Sequence, residues 1–253
     1  MNRPAGGAAA DRSGPPRLPQ LSIVIPVYNE RANLLPLWEE LRPSLISIGR
    51  TFEVIFVDDG STDDSAEEMA RIRAGSPEVR VLRAEANAGQ TAALLAGFGA
   101  ARGAIVVTLD ADRQNDPADI PRLLDRIPEH DAAVGYRVRR ADGWVRLASS
   151  RVANFVRNAL SGDDIIDTGC TLKAFRRECL HGLPAFAGMH RFLPTLVRMN
   201  GHSVCQVPVG HRPRVAGQSK YGIGNRVFRA FNDLMAVRWM KSRHIRYRVT
   251  EDE

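Results

Sequence analysis

At 253 residues, 44% of them hydrophobic and 25% charged, the chain is long enough to bury a sizeable core, so neither a metal nor a disulfide is needed to fold it. Three cysteines, Cys170, Cys179 and Cys205, have no CxxC or Cys/His ligand spacing, which argues against a disulfide framework or a zinc site. Lys and Arg number 35 against 29 Asp and Glu; this excess favours anionic partners and is concentrated between His211 and Arg248, where Asp233 is the single acid.

Met1 to Gln20, rich in Pro, Gly and Ala with little to bury, is expected to be a disordered leader. Leu21 to Val27 is an apolar, β-branched run that suits a buried strand. Asn33 to Ile48 has helical spacing through Leu34, Leu37, Trp38, Leu41 and Leu45, with Pro43 expected to kink or shorten the helix. The alternation repeats as strand Phe52 to Val57, helix Asp63 to Arg73, strand Val79 to Arg83, helix Gln90 to Ala101 and strand Ala104 to Leu109. It predicts an α/β fold, a mostly parallel central sheet flanked by helices.

Beyond it the spacing predicts a strand over Asp131 to Tyr136, an apolar and basic helix near Trp144 to Leu160 and a strand near Thr171 to Phe175. A helix near Arg191 to Met199 and a strand over Ser203 to Val209 follow. Gly210 to Tyr221, with Pro213, Gly217 and Ser219, reads as a long mobile loop before a helix from Gly224 to about Lys241.

In a parallel sheet the ligand site lies beyond the carboxyl ends of the strands. Four strand ends here carry polar clusters: Tyr28-Asn29-Glu30, Asp58-Asp59-Gly60-Ser61, the loop with Asn87 and Gly89, and Asp110-Ala111-Asp112. Two carboxylates ending an apolar strand repel each other, and a hard cation shared with phosphate oxygens would relieve that repulsion. Gln114 can add a neutral oxygen. Asp116-Pro117 reads as a helix cap, and Ser61 to Asp63 as a turn and N-cap. Asp59 is expected to accept hydrogen bonds from a base or ribose. The first strand is followed by Tyr28-Asn29-Glu30 where a dinucleotide-binding site would want G-x-G-x-x-G, which argues against a dehydrogenase.

Six motifs occur in order between Ile25 and Gly222: IPVYNE, VDDGSTD, NAGQTAALLAG, TLDADRQNDP, DTGCTLKAFRRE and PRVAGQSKYG. Together they resemble family 2 glycosyltransferases of the glycosyltransferase-A fold, and within them the polyprenyl-phosphate sugar transferases typified by dolichyl-phosphate mannose synthase. The resemblance implies a catalytic domain over 21–221, with a nucleotide-binding part at 21–116 and an acceptor part at 117–221, then an amphipathic basic helix and tail at 222–253. It implies that Pro26, Tyr28, Glu30, Val57 and Asp59 surround the nucleoside of a UDP- or GDP-sugar. Asp110, Ala111, Asp112 and Gln114 would lie at the diphosphate, with Asp110, Asp112 and Gln114 holding Mg²⁺ or Mn²⁺. Arg137, Arg214 and Lys220, with Ser219, match positions that hold donor or acceptor phosphates. Asp112, Arg137 and Asp167 are the expected catalytic residues.

Many family 2 enzymes carry a Glu-Asp pair ahead of a late helix, one member serving as general base; the corresponding place here reads Gly188-Met189-His190-Arg191. A phosphate acceptor, already ionised near neutral pH, would explain the gap. The expected reaction is inverting attack by a polyprenyl phosphate on the anomeric carbon. Undecaprenyl phosphate is favoured because lysine is scarce (Lys173, Lys220 and Lys241 only), a hint of a GC-rich bacterial genome. The rival is a glycan, lipid or protein hydroxyl as acceptor, with Asp167 as substitute base. His190 and His211 read as cap or packing residues.

No apolar run approaches the roughly 18 to 20 residues that span a bilayer, and the N-terminus lacks signal-peptide order, so the protein is expected to be cytoplasmic and peripheral at the inner face of the plasma membrane. Val227, Phe228, Phe231, Leu234, Met235 and Trp239 interleave with Arg226, Arg229, Arg238 and Lys241, a mixture suited to an interfacial helix. The segment with Trp144, Leu147, Phe155 and Val156 among Arg146, Arg151 and Arg157 has the same character. A separate integral-membrane partner is compatible with this picture. Nucleic acid is not expected as a partner, because the acidic rim would repel it.

Overall fold

The computed structural model describes residues 18–138, 163–213 and 223–245, without the side chains of 223–230. The helix expected over Trp144 to Leu160 lies outside the described residues, as do Arg214, Ser219 and Lys220.

Seven strands form one sheet: β1 (Leu21–Val27), β2 (Phe52–Asp58), β3 (Val79–Arg83), β4 (Ile105–Thr108), β5 (Ala132–Arg137), β6 (Lys173–Arg176) and β7 (Val204–Val209). Their order is β3-β2-β1-β4-β6-β5-β7. Strands β1 to β4 pair in parallel, as do β5 and β7, while β6 runs antiparallel to both neighbours. The helices are α1 (Arg31–Ser47), α2 (Ser65–Ala74), α3 (Gln90–Ala100), α4 (Ile120–Leu124), α5 (Leu193–Met199) and α6 (Ile223–Arg243).

Strand alternation divides the core into two layers. Leu21, Ile23, Ile25 and Val27 of β1 pack with Leu34, Leu37 and Leu41 of α1 on one face. Val24 points to the other, with Leu94 and Phe98 of α3, Leu196 of α5, and Leu234 and Val237 of α6. Pro43 does not shorten the helix: α1 continues to Ser47 with Leu34, Leu37, Trp38, Leu41 and Leu45 all buried. Burying such side chains is worth about 1.5–3 kcal/mol each, which outweighs one lost backbone donor. Helix α2 starts at Ser65 instead of Asp63, because the Asp63 carboxylate accepts the N–H of Ser65 (3.1 Å) and that of Arg31 (3.3 Å) and holds a turn there.

Candidate active site

A cleft of about 470 Å³ opens beyond the carboxyl ends of β1, β2 and β4. Pro26, Tyr28 and Glu30 line it after β1, Asp59 after β2, and Asp110, Ala111, Asp112 and Gln114 after β4; Arg137, Lys173, His190 and Arg191 also line it. Most residues expected to touch substrate are thus brought together. Val57 is not: it is 2% exposed and packs in the second core layer with Val24 and Ile55. Its side chain points away because it follows the strand alternation that turns Asp58 the other way.

Asp59 organises the wall it stands on. Its carboxylate accepts the N–H groups of Ala88 (2.8 Å) and Gly89 (2.9 Å) and the side-chain amide of Asn87 (2.9 Å). These bonds clamp the β3–α3 loop against the end of β2. Gly60 permits the approach: its φ is +69°, and a Cβ there would lie 2.6 Å from the backbone nitrogen of Asn87.

At the end of β4, Asp110 Oδ1 accepts from Gln90 Nε2 (2.8 Å), and Asp112 Oδ1 accepts the N–H of Gln114 (3.2 Å). Burial, and then the charge of Asp112, push the Asp110 carboxyl up to about 7, against a Thr171 hydrogen bond and the charge of Lys173. Two crowded carboxylates and an amide oxygen are the donor set of a hard cation, and their mutual repulsion is what such a cation relieves. The next loop is tied down from outside. Arg113 (φ +61°) reaches Glu40 of α1 at 2.5 Å, and Arg212 reaches Glu40 at 2.6 Å and Asp116 at 2.7 Å. Both arginines hold the Glu40 carboxyl below its usual range, Arg113 most strongly. Asp116 caps the turn at Pro117 by accepting the N–H of Ala118 (3.0 Å), the role read from the sequence.

The opposite wall is basic. Arg137 donates to Asp167 through Nε (2.6 Å) and Nη2 (2.9 Å), a two-point pair to which Gly169 adds its N–H at 3.0 Å. Asp167 is 5% exposed, is not among the residues lining the cleft, and holds Arg137, which is. His190 Nδ1 meets the Thr91 hydroxyl at 2.9 Å, and Arg191 pairs with Asp233 of α6 at 2.7 Å. The single acid of the basic C-terminal stretch therefore fastens that helix to the cleft rim. Lys173, which sequence reading passed over, is 3% exposed on the floor; burial lowers its pKa while Cys170, Asp110 and Asp167 oppose the shift. Its signal was a lysine inside the apolar run Thr171-Leu172-Lys173-Ala174-Phe175.

Folding also assembles Asp131, Cys179 and His202, whose potential ligand atoms lie within 4.8 Å of one another although no ligand spacing links them in sequence. They sit at the other end of the sheet, before β5 and β7. Asp131 accepts the Ser203 N–H (2.8 Å) and hydroxyl (2.9 Å), which hold its carboxyl low, and burial pushes the Cys179 thiol up to about 12. The cluster locks two loops together.

Comparison with known proteins gives a consistent result. Residues 22–183 match the model of glycosyl transferase family 2. The chain is 41% identical over 204 residues to an undecaprenyl-phosphate 4-deoxy-4-formamido-L-arabinose transferase of Pseudomonas aeruginosa, covering 79% of this chain and 60% of that protein. It is 37% identical over 224 residues to a dodecaprenyl-phosphate galacturonate synthase of Rhizobium johnstonii, covering 86% and 66%. The chain thus spans about 60% of the length of the first of these curated relatives. Among solved structures it resembles glucosyl-3-phosphoglycerate synthase of Mycobacterium tuberculosis, crystallised with Mn²⁺, UDP-glucose and glycerol 3-phosphate (TM-score 0.65, 21% identity, 90% of this chain and 82% of that one). The same enzyme with Mg²⁺ and UDP superposes equally well, at TM-score 0.65. The expected glycosyltransferase-A fold is the observed one.

Proposed function

We propose, from the premise that this chain belongs to glycosyl transferase family 2, that it moves a sugar from a UDP- or GDP-linked donor to a polyprenyl phosphate, with inversion at the anomeric carbon. Undecaprenyl phosphate is the expected acceptor. The names of the relatives support the acceptor class, and the UDP complexes of the solved neighbours support the donor class.

The observation that carries this reading is the set of charges lining the cleft. Glu30, Asp59, Asp110 and Asp112 line the cleft together with Arg137, Lys173, His190 and Arg191, and among the described residues the stretch Gly188-Met189-His190-Arg191 contributes no carboxylate to it. A phosphate needs positioning and charge neutralisation rather than deprotonation. A hydroxyl acceptor would need a base, and the expected substitute, Asp167, is committed to Arg137. Asp110, Asp112 and Gln114 would hold Mg²⁺ or Mn²⁺, which when bound supplies positive charge to the leaving diphosphate. Pro26, Tyr28, Glu30 and Asp59 would flank the nucleoside. Arg137, aimed by Asp167, would hold phosphate oxygens, and Arg214, Ser219 and Lys220 are proposed to close on the same group.

The acceptor is a membrane lipid, and no helix among the described residues is long and apolar enough to cross a membrane. Helix α6 offers another route. Leu234 and Val237 anchor it in the core, while Phe231, Met235 and Trp239, four residues apart, are 49%, 41% and 65% exposed. Arg238, Lys241 and Arg243 flank this stripe. We propose that it docks on an anionic bilayer at the cytoplasmic face, beside the rim that Asp233 and Arg191 hold.

A panel of UDP- and GDP-sugars offered with undecaprenyl phosphate or undecaprenol, with and without Mn²⁺, tests the reaction by mass spectrometry of the lipid. A glycosylated phosphate that needs metal is expected; turnover on the alcohol alone would refute it.

A further inference from the structure

Lys173 lies on β6, paired across the sheet with Thr108 of β4 on one side and Val134 of β5 on the other. Antiparallel partners point the same way, so its side chain rises beside that of Thr108 onto the cleft floor, two residues before Asp110. It is 3% exposed, and the charges of Asp110 and Asp167 act on its ammonium. Both carboxylates are shared with other donors. Asp167 is held by Arg137 and Gly169, and Asp110 accepts from Gln90.

A cation withdrawn from water without an acceptor is costly, and cores seldom retain one unless something repays it. The ammonium lines the cleft, so an oxygen of a bound substrate can reach it there. An anionic oxygen suits it better than a neutral hydroxyl, because a charge-assisted hydrogen bond is roughly twice as strong.

We infer that Lys173 is a phosphate-binding residue of this site, its ammonium donating to an anionic oxygen of a bound substrate between the Asp110–Asp112 pair and the basic wall. The oxygen belongs either to the donor diphosphate or to the acceptor phosphate. Lys173 would thus hold, from below, a group that Arg137 holds from the side. The inference rests on the reading that the cleft takes two phosphate-bearing substrates.

The test uses the full chain with Lys173→Met, which keeps the length and removes the charge, and Lys173→Arg, which restores it. Calorimetry with UDP and Mn²⁺ forms one arm, and with farnesyl phosphate the other. The methionine variant should melt at the wild-type temperature or above it, because it discards a buried charge. Its kcat/KM should fall roughly 100-fold, with affinity weakened about tenfold or more in the arm whose phosphate Lys173 holds. Partial recovery by the arginine variant is expected in that same arm. Wild-type affinities in both arms, or a melting temperature that falls in step with activity, would overturn the inference and leave the proposed reaction standing. A wild-type protein that binds neither probe would refute the proposed reaction, and the role of Lys173 with it.

Discussion

Replacing Asp110 with Asn removes a charge that the folded chain resists carrying. The carboxyl titrates at about 7 in the folded protein against 3.8 in its reference state. The folded chain therefore keeps a proton that the unfolded chain has lost, so stability falls as pH rises from about 4 to about 7 and stays low above that. At about 1.36 kcal/mol per pH unit the full cost is about 4 kcal/mol. Asp110 faces an open cleft, and solvent screening brings the expected gain of Asp110→Asn at pH 8 to about 1–3 kcal/mol. The variant keeps an acceptor for Gln90 Nε2, so the comparison isolates the charge. Urea unfolding with EDTA at pH 5 and pH 8 should show the gain growing with pH. Mn²⁺ at a hundred times its dissociation constant should then stabilise the wild type by about 2.7 kcal/mol and the variant far less. A variant no more stable than wild type at pH 8, or an equal response of both to Mn²⁺, would refute the reasoning.

Asp112→Ala should lower transfer by at least about 100-fold with a melting temperature near that of wild type, as radiolabelled-sugar transfer and circular dichroism would register. Gly60→Ala should destabilise by about 3 kcal/mol in urea, because a Cβ at φ +69° meets the Asn87 backbone at 2.6 Å. Asp167→Asn weakens the two-point hold on Arg137 and should reduce kcat/KM by about 10- to 100-fold, while full activity would show that Arg137 needs no such support. Trp239→Glu, on a face 65% exposed, should release the protein from anionic liposomes in flotation without changing its melting temperature.

Much of the fold was legible because its signals are local. The apolar, β-branched run Leu21–Val27 and the helical spacing in α1 are set by neighbours in sequence, and the polar strand ends follow directly. The motif order carried the donor side of the cleft for the same reason: its residues cluster in short stretches after β1, β2 and β4. The acceptor side was legible as the phosphate-binding residues Arg137, Arg214, Ser219 and Lys220, of which the described residues include only Arg137. Val57 shows the limit of transfer by motif, since its side chain faces the core layer behind the wall. Pro43 shows the limit of propensity, overridden by a buried helix face.

The sequence by itself determined the sheet, the paired carboxylates and the family, because periodicity and motif spacing survive without knowledge of contacts. Only the tertiary structure decided which charges meet. It bound Asp167 to Arg137 across 30 positions and Arg191 to Asp233 across 42, and it inserted β6 between β4 and β5 so that Lys173 lies at the cleft beside the charge of Asp110. Whether a charged side chain is a counter-ion, a scaffold or a ligand depends on its distance from other charges and from water, and those distances exist only once the chain has folded.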